Sequence, residues 1–200
     1  MGSNSSRVGI VLPVLNEEKI LRDSVEKLRM FLIDHFPYEW TIIVADNGSS
    51  DQTLNIAQQL MSEFDNIDTL YLSQRGRGRA LKHAWIDNGA DILVYMDIDL
   101  STGIESLTPL VDAIEHDGFD LAVGSRLLPT SRVVGRSLKR EILSRGYVFL
   151  IKCLFFSDIT DAQCGFKAIS SAAANTLMPL VENNDWFLDT ELLLLAERFG

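Results

Sequence analysis

Two aspartates separated by one residue, Asp97 and Asp99, follow an apolar run typical of a buried strand. Successive side chains of an extended segment point to opposite sides, so only one of these carboxylates can point squarely at a metal ion. The other is then available to a ribose or sugar hydroxyl. Oxygen ligands without a nearby histidine or cysteine favour Mg²⁺ or Mn²⁺, usually bridged to substrate phosphates. The alternative is a strand-end aspartate that only stabilises a turn.

Asp46 is a second acidic residue at the predicted end of a strand. It is followed by Asn47, Gly48 and Ser49, which are residues that favour turns. Asp46 therefore either forms the turn or accepts a hydrogen bond from a nucleobase or a ribose.

Basic residues concentrate in one part of an otherwise acidic chain. The stretch from Arg126 to Arg145 carries a net charge of +5 and the rest of the chain −15. Arginines beside a carboxylate-held metal are what a diphosphate leaving group requires. Arg126 follows the fifth predicted strand, and Arg136, Arg140 and Ser144 share one face of the next helix. The alternative is a solvated basic face.

The same helix continues into an apolar run from Tyr147 to Phe156. This run is far shorter than the roughly 20 residues that a spanning helix needs. It is either a core helix or an apolar surface beside a cationic pocket, which suits a lipid phosphate at a membrane interface.

Alternating strands and helices must position these residues. Asn16 is expected to cap the first helix, with Glu17 and Glu18 in its first turn. The alternation predicts a doubly wound, mostly parallel α/β sheet, in which ligands bind outside the carboxyl ends of the strands. The apolar patterns predict strands over 8–12, 41–45, 68–72, 91–96 and 120–123, a short segment over 165–169, and helices over 17–36, 51–64, 80–88, 104–116, 135–156 and 189–199.

Composition limits the protein class. The chain has 200 residues, 46% of them hydrophobic, and a net charge of −10, which suits one globular domain and argues against nucleic-acid binding. The two cysteines, Cys153 and Cys164, suit a reducing compartment. We expect residues 1–7 to be a disordered or tag-derived lead-in and residues 8–200 to form one catalytic domain, interpreted as a core truncated at its C-terminus.

Five motifs in chain order carry a resemblance to a known family. They are Pro13-Val14-Leu15-Asn16-Glu17-Glu18, Asp46-Asn47-Gly48-Ser49, Asp97-Ile98-Asp99, Gly124-Ser125-Arg126 and Asp161-Ala162-Gln163-Cys164-Gly165-Phe166-Lys167. Together they resemble the GT-A glycosyltransferases of family 2, and the last motif is similar to polyprenyl-phosphate sugar synthases of the dolichyl-phosphate glucose and mannose type. Gln-x-x-Arg-Trp, found in processive members, is absent.

The resemblance implies a role for each candidate residue. The nucleotide-sugar pocket would be lined by Pro13, Leu15, Glu17, Asp46, Gly76 and Asp97. Asp99 would hold the metal, with Ser101 where mannose synthases often carry a glutamine ligand. Arg126, Arg140 and Ser144 would bind the acceptor phosphate, and Asp189 and Glu191 would lie on the acceptor side, although Asp189 is also expected to cap a helix.

The implied activity is inverting, metal-dependent transfer of one sugar from a nucleotide-diphosphate sugar to a polyprenyl phosphate. UDP-glucose is the favoured donor and GDP-mannose the second. The implied location is cytoplasmic, peripheral at the cytosolic face of a membrane. The alternatives are a nucleotide-sugar binding module without turnover, a family 2 enzyme with another acceptor, and a nucleotidyltransferase.

Overall fold

The computed structural model describes residues 6–86, 89–128, 131 and 138–199. The strands are β1 (Arg7–Val14), β2 (Glu39–Asp46), β3 (Ile67–Tyr71), β4 (Ile92–Met96), β5 (Leu121–Val123) and β6 (Phe166–Ser170). The α-helices are α1 (Leu21–His35), α2 (Thr53–Glu63), α3 (Arg77–Ile86), α4 (Leu107–Glu115), α5 (Leu138–Phe155), α6 (Ser171–Leu177) and α7 (Leu188–Phe199), with short 3₁₀ turns at Ile104–Ser106 and Met178–Leu180.

The strands form one sheet in the order β3-β2-β1-β4-β6-β5. The predicted parallel layer is confirmed for β1 to β4, which pair in parallel. The short segment expected over 165–169 is strand β6, antiparallel to both β4 and β5. It lies between β4 and β5, and Phe166 to Ile169 are buried there, as expected for a strand with neighbours on both sides.

Helices cover both faces of the sheet. On one face, α1, α2 and α4 pack on alternate apolar residues of the strands, among them Ile10, Leu12 and Val44. On the other face, α3, α6 and α7 pack on Val11 and Leu93. The central strands are thus apolar on both sides, which is why they appear in the sequence as continuous hydrophobic runs.

Helix α5 packs against α7 and the segment after its own end. Ile151 lies in a small apolar cluster with Ile159, Ala162 and Leu193. The Tyr147 hydroxyl and Thr190 Oγ1 are 2.8 Å apart. In the part of the chain that the structure describes, neither α5 nor any other helix combines the length and the apolarity needed to cross a membrane.

The predicted starts of α1 and α3 were wrong. Asn16 does not cap α1, because the helix begins at Leu21 and Asn16 adopts a left-handed backbone with φ of 58°. Glu17 and Glu18 consequently precede the helix. Helix α3 begins at Arg77 rather than residue 80, since the Gly76 N–H donates to Asn47 Oδ1 at 2.7 Å and the Gly76 carbonyl accepts from Ala80 N at 3.0 Å. The hydrogen bond from Gly76 to Asn47, in the loop after β2, therefore lets the helix begin at Arg77, although Gly76 and Gly78 locally disfavour a helix.

We expect Ser170→Ala to lower the free energy of unfolding by about 1 kcal/mol, since it removes an N-cap. The Ser170 hydroxyl accepts from Ala173 N at 3.1 Å at the start of α6. Urea unfolding followed by circular dichroism measures the change. Ser171→Ala, one residue into the helix, is the control, and an equal loss in both variants would contradict a capping role.

Candidate functional site

The carboxyl ends of the parallel strands meet at one edge of the sheet. Val14 pairs with Asp46, and Asp46 pairs with Tyr71, so the three strands end at the same level. Asn47 N donates to Val14 O at 2.9 Å, which continues this pairing into the loop. The loops after β1, β2, β3 and β4 consequently lie side by side, as predicted from the alternation of elements.

Side-chain hydrogen bonds fasten the loop after β1 to the loop after β2. Asn16 N donates to Ser49 Oγ at 2.9 Å, and Ser50 N donates to Asn16 Oδ1 at 2.8 Å. Glu17 N donates to Thr53 Oγ1 at 2.8 Å. The left-handed backbone at Asn16 is therefore held by hydrogen bonds through both its backbone N–H and its side-chain oxygen. This network brings Glu17 beside the start of helix α2.

Two further residues predicted for the nucleotide pocket lie at the same end of β1. Pro13 is half-buried inside the strand, and Leu15 directly follows it with 37% of its surface exposed. Both are therefore available to a ligand bound at this edge.

Asp46 is fully buried at the end of β2. Its Oδ1 accepts a hydrogen bond from Ser49 N at 2.8 Å, which is the turn-forming role that its sequence context suggested. Its Oδ2 has no hydrogen-bond partner among the described residues. Because an unpaired buried acceptor costs free energy, this oxygen is suited to an N–H donor brought by a ligand.

Asp97 lies at the centre of a cluster of charged and aromatic groups. Its Oδ1 is 2.5 Å from Arg77 Nη2 and accepts from the Tyr95 hydroxyl at 3.2 Å. Arg77 also stacks over the Trp186 ring, with its guanidinium carbon 4.2 Å from the ring centroid. Burial raises the pKa of the Asp97 carboxyl, although the charge of Arg77 opposes this rise.

Arg77 is a residue of this edge that the sequence reasoning missed. The available signal was the basic cluster from Arg75 to Arg79 directly after the third strand. From that cluster only Gly76 was selected, and the structure gives Gly76 a packing role, because a Cβ there would lie 2.8 Å from the Asn184 carbonyl oxygen.

The backbone of Gly165 passes close to Asp97. Asp97 N donates to Gly165 O at 3.2 Å. A Cβ built at Gly165 would lie 2.0 Å from Asp97 Oδ2, so no other residue fits there without moving the carboxylate. The glycine of the Gln163-Cys164-Gly165 motif is therefore required by the position of Asp97.

Asp99 faces solvent and lies near other acidic groups. Its Oδ1 accepts from Ser101 N at 3.0 Å. Burial raises the pKa of Glu17, and the negative charges of Asp99 and Asp51 raise it further. Within the described ranges no three His, Cys, Asp or Glu residues are grouped to hold a metal, so a cation here would complete its shell with water or substrate oxygens.

Arg126 makes a two-pronged ion pair with Asp161. Its Nε lies 2.9 Å from Asp161 Oδ2 and its Nη2 3.1 Å from Oδ1, while Nη2 also donates to Gln163 O at 2.8 Å. Burial alone would raise the pKa of Asp161, but the hydrogen bonds and charge of Arg126 outweigh it and hold the pKa below its ordinary value. Arg126 thus connects the end of β5 to the segment before β6, and about a third of its side chain (36%) stays exposed.

The two acidic residues predicted on the acceptor side are engaged inside the fold. Asp189 is the second residue of α7 rather than its cap, and its Oδ1 accepts from Lys167 Nζ at 2.6 Å. Lys167 has no exposed surface and also donates to the Cys164 carbonyl. Glu191 accepts from Glu182 N at 3.0 Å and from Asn183 N at 2.9 Å.

The remaining predicted residues lie on or before α5. Ser144 is half-buried on this helix. The side chain of Arg140 and the whole of Arg136 lie outside the described residues.

Comparison with known proteins agrees with this arrangement. Residues 9–178 match the family model described as Glycosyl transferase family 2. The chain belongs to this family. The family 2 membership and the GT-A α/β architecture inferred from the five motifs are therefore confirmed.

The relatives of this chain include the following two glycosyltransferases. Glycosyltransferase AglD of Haloferax volcanii is 42% identical over 96% of this chain and 31% of the relative. Dolichyl-phosphate beta-glucosyltransferase of Saccharomyces cerevisiae is 28% identical over 96% of this chain and 63% of the relative. The chain thus spans between about a third and two thirds of the length of these relatives.

Solved structures share the fold. Glucosyl-3-phosphoglycerate synthase of Mycobacterium tuberculosis, in complex with UDP, superposes with a TM-score of 0.68 at 22% identity, over 98% of this chain and 67% of that one. The same synthase in complex with Mn²⁺, UDP-glucose and glycerol 3-phosphate gives a TM-score of 0.66 at 23% identity, over 94% of this chain and 64% of that one.

We expect Gly165→Ala to weaken donor binding by at least about tenfold, because the new methyl group must displace the Asp97 carboxylate. Calorimetric titration with a nucleotide sugar measures the loss. Gly146→Ala is the matched control, since a Cβ at Gly146 in α5 meets nothing within 4 Å. Unchanged binding in Gly165→Ala would contradict a ligand role for Asp97.

We expect Arg126→Gln to lower the free energy of unfolding by about 2 kcal/mol at pH 7, less than for a fully buried pair because Arg126 is partly exposed. The ion pair contributes fully to the free energy of unfolding at pH values above the unfolded-state pKa of Asp161, near ~4. This contribution is lost as the pH falls through the lower folded-state pKa of Asp161. The difference between variant and wild type should therefore shrink on acidification. Urea unfolding at a series of pH values measures it, and a pH-independent difference would contradict the ion-pair origin.

Proposed function

We propose that this chain carries the catalytic part of an enzyme that transfers one sugar, with inversion, from a nucleotide-diphosphate sugar to a polyprenyl or dolichyl phosphate. The observation that carries the proposal is the buried, unpartnered Asp46 Oδ2 at the same sheet edge as Asp97 and Asp99. The names of the yeast and Haloferax relatives support a glycosyl transfer, and the yeast name supports a lipid phosphate as acceptor.

The proposed donor is UDP-glucose, with GDP-mannose second. Ser49 N already occupies Asp46 Oδ1, which leaves one carboxylate oxygen for a ligand. Uracil offers a single ring N–H between two carbonyls, whereas guanine offers two adjacent N–H donors that suit both oxygens of a carboxylate. One open oxygen therefore fits uracil better. The UDP-glucose complex of the mycobacterial synthase is consistent with this choice.

Asp99 is the proposed ligand of Mg²⁺ or Mn²⁺, with the Ser101 hydroxyl beside it. Burial raises the pKa of Glu17 and the negative charge of Asp99 raises it further, and a cation beside the two carboxylates would relieve this repulsion. When bound, the metal would stabilise the negative charge that develops on the departing diphosphate. Asp97, held by Arg77, would accept a hydrogen bond from a sugar hydroxyl and so orient the sugar for attack from the acceptor side.

The acceptor phosphate needs positioning more than it needs a base. With a second pKa near ~6, a phosphate monoester is largely ionised at neutral pH and can attack without losing a proton to the protein. The engagement of Asp189 with Lys167 is compatible with such a base-free step. Arg126, Arg140 and Ser144 are the proposed acceptor contacts. Because Asp161 and Gln163 occupy Nε and Nη2 of Arg126, the phosphate would bind the remaining N–H groups.

The acceptor is a membrane lipid, so we propose that transfer takes place at a membrane surface, on its cytosolic face. The acidic charge of the chain and its two cysteines are compatible with that compartment.

We expect the wild-type protein to bind UDP-glucose more tightly than GDP-mannose in calorimetric titrations with Mn²⁺. Asp46→Asn keeps the acceptor for Ser49 N but places an amide donor against the base, so it should weaken UDP binding at least about tenfold. Asp99→Asn should remove the dependence on Mn²⁺. Asp68→Asn, an exposed aspartate in β3, is the control.

Transfer itself is measured with labelled donor and a short-chain polyprenyl phosphate. Formation of a labelled lipid supports the proposal. Donor binding without transfer to any lipid phosphate would contradict it in favour of a binding module.

A further inference from the structure

Trp186 is a large aromatic side chain that the fold leaves mostly in solvent beside the candidate site. Its exposed fraction is 66%, whereas Trp85 is buried and Trp40 is half-buried. The guanidinium carbon of Arg77 lies 4.2 Å from the centroid of the Trp186 ring, so a cation contacts part of the indole. The rest of the ring is open, and an exposed aromatic surface of this size is unfavourable in water until a ligand covers it.

The backbone on both sides of Trp186 is fixed. The Asn184 carbonyl oxygen accepts from Arg79 N at 3.1 Å, in the first turn of α3. A Cβ at Gly78 would lie 2.8 Å from the Asn184 carbonyl carbon, so the two backbones are in close contact. Leu188, two residues after Trp186, is buried and begins α7. The contacts of the flanking residues therefore hold the indole in its exposed position.

Arg77 connects Trp186 to Asp97. The guanidinium that contacts the Trp186 ring also places its Nη2 2.5 Å from Asp97 Oδ1. On the inner side, the guanidinium carbon lies 5.1 Å from the centroid of the Tyr95 ring. The indole and the carboxylate thus flank the same basic side chain, of which only 19% is exposed. A ligand whose hydroxyl group reaches Asp97 would have the open part of the indole beside it.

A pyranose ring suits this pair of groups. Its hydroxyls donate hydrogen bonds to a carboxylate, and its C–H groups pack on the negative face of an aromatic ring. In the glucose of a nucleotide sugar the hydroxyls at C2, C3 and C4 are all equatorial, so the face opposite the axial diphosphate presents only C–H groups. In galactose the C4 hydroxyl is axial on that face. Pressed against an indole, this hydroxyl would lose its water without gaining a partner.

We propose that Trp186 is a specificity-determining residue of the donor site, with its indole packed against the C4 end of the transferred hexose. This inference rests on the proposed function, because it takes the donor to be a nucleotide sugar with a hydroxyl bound to Asp97. Inversion requires the acceptor to reach C1 from the face opposite the diphosphate. The indole therefore covers only the far end of that face and leaves C1 open. Trp186 thereby selects glucose over its C4 epimer.

The first test is calorimetric titration with UDP, UDP-glucose and UDP-galactose in the presence of Mg²⁺. The wild type should bind UDP-glucose about fivefold more tightly than UDP-galactose, the scale of one aromatic contact. Trp186→Ala should remove this preference and leave the affinity for UDP unchanged, while Trp186→Phe should keep most of the preference. Phe119→Ala is the matched control, since Phe119 is 60% exposed and precedes β5.

Tryptophan fluorescence reports on the same contact. UDP-glucose should shift the emission of the wild type to shorter wavelength by more than UDP does, because the sugar covers the exposed indole. This additional shift should be missing in Trp186→Phe, in which only Trp40 and Trp85 emit.

Three results would overturn the role assigned to Trp186. One is a wild type that binds UDP-glucose and UDP-galactose equally. Another is a Trp186→Ala variant with unchanged affinity for UDP-glucose. The third is an equal loss of affinity for all three ligands in that variant, which would make Trp186 only a support for Arg77.

Transfer assays separate this inference from the proposed reaction. Loss of the glucose preference in Trp186→Ala, with a wild type that transfers glucose to no lipid phosphate, would support the role of Trp186 and count against the reaction. Transfer by the wild type, with an unchanged preference in Trp186→Ala, would support the reaction and overturn the role of Trp186.

Discussion

The close approach between Gly165 and Asp97 is the constraint on which the candidate site depends. The carboxylate sits where any side chain at position 165 would have to be, and Asp97 N is hydrogen-bonded to the Gly165 carbonyl at 3.2 Å. This approach requires β6 to lie directly beside β4, which it does by inserting antiparallel between β4 and β5. The segment from Asp161 to Lys167 is thus both a part of the sheet and a wall of the site.

Two ion pairs hold that segment in place. Arg126 binds the Asp161 carboxylate and the Gln163 carbonyl, and Lys167 binds Asp189 and the Cys164 carbonyl. Buried charges are costly unless they are paired, so these contacts fix the geometry rather than add much net stability. The acidic residues of this region therefore fall into two groups. Asp161 and Asp189 are each paired with a basic side chain, whereas Asp46 Oδ2 has no hydrogen-bond partner among the described residues and Asp99 is exposed.

The molecule keeps its polar and apolar surfaces apart. The sheet edge holds the carboxylates of Asp46, Asp97 and Asp99 together with Arg77. Helix α5 carries exposed apolar side chains and exposed basic residues. The hydrogen bond between Tyr147 of α5 and Thr190 of α7 joins this helix to the rest of the fold.

The sequence by itself determined the alternation of strands and helices, the sheet edge proposed to bind ligands, and Asp46, Asp97 and Asp99 as candidate residues. These follow from local patterns, because hydrophobic periodicity and turn residues act over a few positions. Only the tertiary structure decided the place of β6, the pairing of Arg77 with Asp97, and the engagement of Asp189 by Lys167. Each depends on residues 20 or more positions apart, and their pairing is set by which buried charges and backbone groups meet once the sheet has formed.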